Sequence, residues 1–353
     1  PKPSPAGDLG PSESNHPQTH QHSLNQAPHS PSKEVAEPLF YLVAAEEDLA
    51  PRLDEYLAAE VLALDLETTG LDPHTHRIRL VQMAIPDRPP MIVDLFQLPA
   101  GLRLLAPVFE TPAVKVFHHA KFDLKFLFKQ EVEIRGQIFD TMLAEQLIQA
   151  GIRGHSSRLG SLVASYLKQS LDKEQQSSDW AGDLTTAQLI YAAQDAQVLL
   201  SLKSQLTQSL VSKSLVEVAE LEFDCVRTVA QMELAGLGLD AQKWQEYCQS
   251  LEEKVGIHAA KVRSHFPLWA QEQGQELNPN STQQLQSALT SIGIAVDSTR
   301  KEVLKPLSHH PAVADLRQYK EWHQQSKYGP KIRQSIHPTT GRIHADYRQL
   351  GTE

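Results

Sequence analysis

The sequence predicts an α/β protein in two parts: a mixed sheet with packed helices over roughly residues 39–212, then a mainly α-helical segment over 213–353. Three observations predict it. From Leu39 onward, short apolar runs alternate with stretches of helical period, which suggests strands and helices in one layered domain. From about Ser214 strand signals nearly vanish and long amphipathic stretches take over. The apolar fraction, 41%, is enough for sizeable cores.

Taken in order, residues 1–38 are rich in Pro, Ser, His, Gln and Asn and have little to bury, the composition of a disordered linker. His16, His20 and His22 fall there and read as part of a solvated tail rather than a metal site. Strands are expected at 40–44, 61–67, 78–85, 91–95 and 114–118, and helices at 49–59, 123–129, 141–149, 159–167 and 186–206. Three consecutive strands with short links suggest an antiparallel meander, and strands separated by helices suggest parallel additions. Asp140 stands just before a helix and reads as its N-cap. Further helices are expected at 216–234 and 244–265, and another starting after Asn280 or Ser281 as cap.

The densest chemistry lies at the end of one apolar run, Val61-Leu62-Ala63-Leu64-Asp65-Leu66-Glu67-Thr68-Thr69-Gly70. Alternate residues of a strand share a face, so the leucines point one way while Asp65 and Glu67 stand side by side on the other. Carboxylates this close repel, and a divalent cation such as Mg²⁺ or Mn²⁺ offsets that repulsion. Alone, the pair reads rather as a strand end with two solvated acids. Asp123 falls in the first turn of a helix, where a carboxylate suits the dipole. Tyr191 and Asp195 lie four apart on a strong helix and stack on one face.

Together these residues resemble the DEDD-type 3′–5′ exonucleases of the tyrosine subclass, in order and spacing, over roughly residues 39–212. Phe139-Asp140-Thr141-Met142-Leu143-Ala144 and Ser178-Asp179-Trp180 agree with it; His119 stands where that family often has Asn. Downstream, Met232-Glu233-Leu234-Ala235-Gly236, Asn278-Pro279-Asn280-Ser281 and Gly341-Arg342-Ile343-His344 resemble the passage from exonuclease to thumb, and the start of the palm, in family A DNA polymerases of the bacterial DNA polymerase I type. The resemblance implies a ribonuclease-H-like sheet, a polymerase thumb, and proofreading removal of nucleotides from DNA 3′ ends with two Mg²⁺ (or Mn²⁺) ions. It implies Asp65 bridging both ions, Glu67 and Asp195 holding one, Asp123 holding the other through water, and Tyr191 orienting the nucleophile. Thr68, Leu71, His119 and Phe122 would then line the path of a single-stranded 3′ end, and Lys327, Lys331 and Arg333 would contact primer–template duplex. In that family the palm aspartates lie beyond the last residue here, so the chain reads as a fragment that shortens a primer without extending it.

The formal charge of −10 argues against binding nucleic acid through bulk charge, although the C-terminal third is locally basic. No apolar run is long enough to span a bilayer, and no signal peptide is visible. Cys225 and Cys248 read as reduced and structural, which suits a cytoplasmic protein; separately, the chain is expected to be a monomer. Two rival readings remain: an RNA exonuclease resembling ribonuclease D, and a non-catalytic DNA-binding fragment. The complete set of acids disfavours the second.

Overall fold

A computed structural model of the chain describes residues 38–171 and 178–351; the expected linker and its three histidines lie outside these apart from Pro38. The elements run β1 (Tyr41–Val43), α1 (Glu46–Ala58), β2 (Val61–Thr68), β3 (Ile78–Ala84), β4 (Met91–Asp94), α2 (Gly101–Phe109), β5 (Val114–Phe117), α3 (Ala120–Lys129), β6 (Ile138–Asp140), α4 (Thr141–Ile148) and α5 (Leu159–Leu162). They continue with α6 (Thr186–Ser212), α7 (Val216–Ala235), β7 (Leu237–Gly238), α8 (Ala241–Ser264), α9 (Pro267–Gln273), α10 (Thr282–Ser291), α11 (Lys301–Leu304), α12 (Pro311–Ser326), α13 (Tyr328–Gln334) and β8 (Arg342–Ile343).

The first six strands form one sheet in the order β1-β4-β3-β2-β5-β6. β2, β3 and β4 are the antiparallel meander, while β5, β6 and β1 add in parallel. This is the ribonuclease-H-like mixed sheet expected. β3 and β4 are buried along their whole length, which explains their near-continuous apolar sequence. α6 packs along β2, β3 and β5, and places Asp195 against the strand that carries Asp65.

Two elements of the sheet domain, α2 and β6, escaped the sequence reading, as did the short β7–β8 pair. α2 contains Pro107, a residue that argues against a helix interior. β6 is only three residues long, too short for a visible alternation. The expected helix at 159–167 is a four-residue α-helix that widens into a π-helical turn at Val163–Leu167.

Asp140 is the N-cap expected, and more. Its Oδ1 accepts from Met142 N at 2.8 Å and Leu143 N at 3.2 Å at the start of α4. The same carboxylate accepts from Ala120 N at 2.8 Å and His119 N at 3.1 Å at the start of α3. One buried side chain therefore terminates two helices and fixes the entry of the helix that carries Asp123.

The sheet core is continuous with α7, whose Ala219, Phe223, Val226 and Ala230 are buried in it. A second core forms within the helical segment from α8, α9, α10 and α12, around Val262, Phe266, Trp269, Leu289 and Leu316. β7 and β8 pair antiparallel and bring the C-terminal residues back to the end of α7.

Candidate functional site

β2 presents Leu62, Leu64 and Leu66 to the interior and leaves Asp65 and Glu67 half-buried, as the alternation predicts. The β2–β3 register shifts between Glu67 and Thr68. Such an irregularity bends a strand locally and re-aims the side chains beside it. The second half of the site comes from α6. Thr185 caps that helix, with its hydroxyl accepting from Gln188 N at 3.2 Å. Gln188 in turn donates to Ser178 Oγ and to the Asp179 carbonyl, both at 3.1 Å. That explains Ser178-Asp179-Trp180 physically: the segment is tied to the start of α6, and Trp180 then packs on Tyr191 with ring centroids 6.4 Å apart.

Asp65, Glu67 and Asp195 converge, each offering a carboxylate oxygen within 4.8 Å of the other two. Burial, then the charge of Asp195, pushes the Asp65 carboxyl well above its ordinary range. Burial followed by repulsion from Asp65, Asp195 and Asp123 raises Glu67 to about 10, and burial raises Asp195 to about 6. Asp123, from the first turn of α3, is raised by burial and by the charge of Asp65. It faces the same cluster but stands outside the closest three. The Tyr191 hydroxyl is directed at the Asp195 carboxylate; burial and that charge hold its proton on.

The donor set fits a divalent cation. Oxygen-only ligands suit a hard ion, the carboxylates cannot all ionise this close without one, and Asp195 Oδ1 is buried without a hydrogen-bond partner. Such an orphaned acceptor calls for a water or an ion.

The other expected residues scatter. Thr68 is buried, its hydroxyl donating to the Gly70 carbonyl at 2.8 Å. Leu71 is 81% exposed just beyond the acidic strand. His119 caps α3 in the left-handed region at φ 67°, and its ring stacks on Phe122 with centroids 6.5 Å apart. His119 also lines a cleft of about 180 Å³ with Lys121, Asp140, Gln146 and the 346–350 segment, a wall that none of the four acids shares. Lys327, Lys331 and Arg333 are exposed around α13 and, among the described residues, form no ion pair with one another or with acids.

Among the buried polar residues that the sequence reading did not single out, Glu233 and Gln82 bear on the site. Glu233 of α7 takes Lys121 and Lys125 of α3, each at 2.7 Å, one on either side of Asp123 in sequence. Gln82 sits opposite Asp65 in the β2–β3 register. The visible signal for Gln82 was an amide set between the apolar residues Val81 and Met83.

The family profile of the 3′–5′ exonuclease domain of the DNA polymerase A type matches residues 41–211. DNA polymerase I of Aquifex aeolicus is 28% identical over 339 residues, covering 88% of this chain and 55% of its own length. DNA polymerase I of Pseudomonas aeruginosa is 31% identical, covering 82% of this chain and 35% of its own. The chain thus spans about half or less of the length of these relatives. Ribonuclease D of Desulfotalea psychrophila is 23% identical, covering 74% of this chain and 68% of its own. Among solved structures, the POL domain of Pol1 from M. smegmatis, in complex with DNA primer-template and dNTP, has a TM-score of 0.66 at 21% identity, over 86% of this chain and 51% of that one, a shared fold.

Proposed function

Residues 41–211 of this chain belong to the 3′–5′ exonuclease domain family of DNA polymerase A, and on that premise we propose that the chain removes nucleotides one at a time from DNA 3′ ends, as the proofreading part of a polymerase. The observation that carries the reading is the convergence of Asp65, Glu67 and Asp195 within 4.8 Å, with Asp123 and Tyr191 beside them. The DNA polymerase relatives match through the helical segment as well as the sheet, which supports DNA over RNA as the substrate. The division we propose is an exonuclease domain over 39–212 and a helical thumb-like segment from 213, with α7 as the strut between them.

Asp65, Glu67 and Asp195 would hold one Mg²⁺ or Mn²⁺ ion, with Asp65 shared by a second toward Asp123. Bound ions would supply an activated water and neutralise charge on the leaving 3′ oxygen. Tyr191 keeps its proton, so it serves as a hydrogen-bond donor that orients the attacking water and not as a base. Water adds to the terminal phosphorus, the bond to the 3′ oxygen breaks, and a nucleoside 5′-monophosphate leaves behind a new 3′-hydroxyl. Thr68 supports the bend after Glu67. Phe122, stacked on His119, offers a ring face to an unpaired base, and Leu71 offers an exposed apolar edge. Lys327, Lys331 and Arg333 offer charge to a duplex backbone. The chain would act as a monomer on DNA in the cytoplasm; among the described residues no helix is long and apolar enough to cross a membrane.

The test is digestion of matched 3′-labelled single strands of DNA and RNA, with Mg²⁺ or with chelator. The expected result is stepwise shortening of DNA in Mg²⁺ only, abolished in Asp65→Ala and Asp195→Ala. Preferential RNA trimming would move the assignment to the ribonuclease D reading. Near-wild-type digestion by either variant at equal folded fraction would remove these acids from the mechanism.

A further inference from the structure

Gln82 lies in the middle of β3 and is wholly buried, at 0% exposure. Neither its Nε2 nor its Oε1 has a hydrogen-bond partner. A buried carboxamide with both ends unpaired is strongly unfavourable, and native proteins keep such a group only where something absent from the bare chain completes it. Its position says what that is. Gln82 is the direct cross-strand partner of Asp65 in the antiparallel β2–β3 ladder. Directly opposed residues put their side chains on the same face with neighbouring Cβ atoms. That face is covered by α6. Leu80, two residues before Gln82 on β3, packs there with Trp180, Tyr191 and Ala192. Trp180 Nε1 and Asp195 Oδ1 are likewise buried without partners. Orphaned polar atoms from three separate elements therefore accompany the acidic cluster, and the fully sequestered Gln82 cannot be a contact for incoming substrate.

We propose that Gln82 is a positioning residue for the metal centre: its carboxamide supports Asp65 from the neighbouring strand, directly or through one buried water, when that carboxylate holds a cation. Residues that steady a metal-bound carboxylate by hydrogen bonding typically change metal affinity by about 10–100-fold when removed. The cost of this role falls on the metal-free state, where the Gln82 amide is unsatisfied. An apolar residue of similar volume should therefore suit the empty protein at least as well. This opposite sign separates positioning from a purely structural part, for which any replacement would weaken the empty protein and leave affinity alone.

The proposal rests on the reading of the acids as a divalent-metal site, so wild type is titrated first. Mn²⁺ binding is followed by calorimetry on the whole chain, and melting temperature is recorded with chelator and with saturating Mn²⁺. Failure of wild type to bind would sink the metal reading itself. If wild type binds, Gln82→Met is expected to weaken Mn²⁺ affinity by about tenfold or more. Its melting temperature in chelator should be equal to or above wild type, and its exonuclease activity should recover partly at high Mn²⁺. Unchanged affinity would overturn the role of Gln82 while leaving the metal site standing. Should Gln82→Met not fold, Gln82→Asn, which keeps an amide but withdraws it by one methylene, is expected to lose affinity in the same way; wild-type affinity in that variant would equally overturn the proposal.

Discussion

The proposed mechanism gives a hydroxyl and a carboxylate four residues apart on α6 different tasks. Asp195 is one of the converging oxygens and Tyr191 only faces it. Removing the ligand should therefore abolish activity, and removing the hydroxyl should only slow it. Tyr191→Phe is expected to lower the rate of 3′-end digestion by about 10²-fold, the lower end for one positioned proton-transfer or orienting group. Metal affinity should stay near wild type. Single-turnover digestion read beside Mn²⁺ titration checks this, and a loss equal to that of Asp65→Ala would show the tyrosine to be part of the ligand set. Asp123 shows why residue-level reading is incomplete. Its carboxyl is raised by burial and then by the charge of Asp65, a neighbour that linear separation along the chain does not reveal.

At the level of elements, α3 matters most because it delivers Asp123. Two devices hold it. Asp140 caps its start together with that of α4. Losing one cap costs about 0.5–2 kcal/mol, so Asp140→Ala, which strips both helices, should lower the unfolding free energy by about 1–4 kcal/mol in urea titration. Asp140→Asn, which keeps an acceptor, should lose less. The second device is Glu233, whose side chain is 1% exposed between Lys121 and Lys125. Lys121 also reaches the Tyr347 carbonyl at 2.7 Å and the Asp346 carboxylate, so the C-terminal segment closes the network. Removing one partner of a buried charge pair is far worse than lacking the pair, by about 3–5 kcal/mol. Glu233→Ala should therefore be strongly destabilising, and adding Lys121→Met should return part of the loss. The double variant's urea midpoint decides; no recovery would mean that the lysine was never left stranded.

Over the whole molecule, the acidic exonuclease face and the basic α13 region are joined through a second set of side chains. Asp72, in the loop after the acidic strand, accepts from His337 Nε2 at 2.8 Å. His74 packs its ring 4.4 Å from His344. Burial by itself would raise Asp72; the His74 amide, the Thr75 hydroxyl and His337 outweigh it and hold the carboxyl at about 2. A carboxyl lowered in the folded state contributes stability above its unfolded value and loses it as pH falls through the folded one. The contribution of Asp72 is therefore full near neutrality and disappears as pH falls from about 4 to about 2. Burial and the charge of His344 lower His74, so its protonation in acid also disfavours the fold. Asp72→Asn should melt below wild type at pH 7, and the gap should close toward pH 2; a constant gap across that range would reject the linkage. For the basic region, replacing Lys327, Lys331 and Arg333 with Ala should weaken duplex binding. It should also flatten log K against log salt by up to about 2.7, since each phosphate that a side chain neutralises adds about 0.9 to the slope. An unchanged salt slope would leave these residues as solvated charge.

The sequence by itself determined the α/β class and most strands. A period of two or 3.6 is a local property that burial writes directly into the chain. It also offered the acids as candidates: spacing puts Asp65 and Glu67 on one strand and Tyr191 and Asp195 on one helix, and the resemblance to the DEDD-type exonucleases singled them out. Tertiary structure decided what spacing cannot carry. It brought α6 onto β2 so that Asp195 meets Asp65. It set the register that places Gln82 beside Asp65, because strand pairing is a choice between distant segments and one residue of slip would turn Gln82 away. It also decided that Asp140 serves two helices and that Glu233 anchors α3. Those partners lie 20 or more residues apart, and only packing selects which distant polar groups are satisfied together.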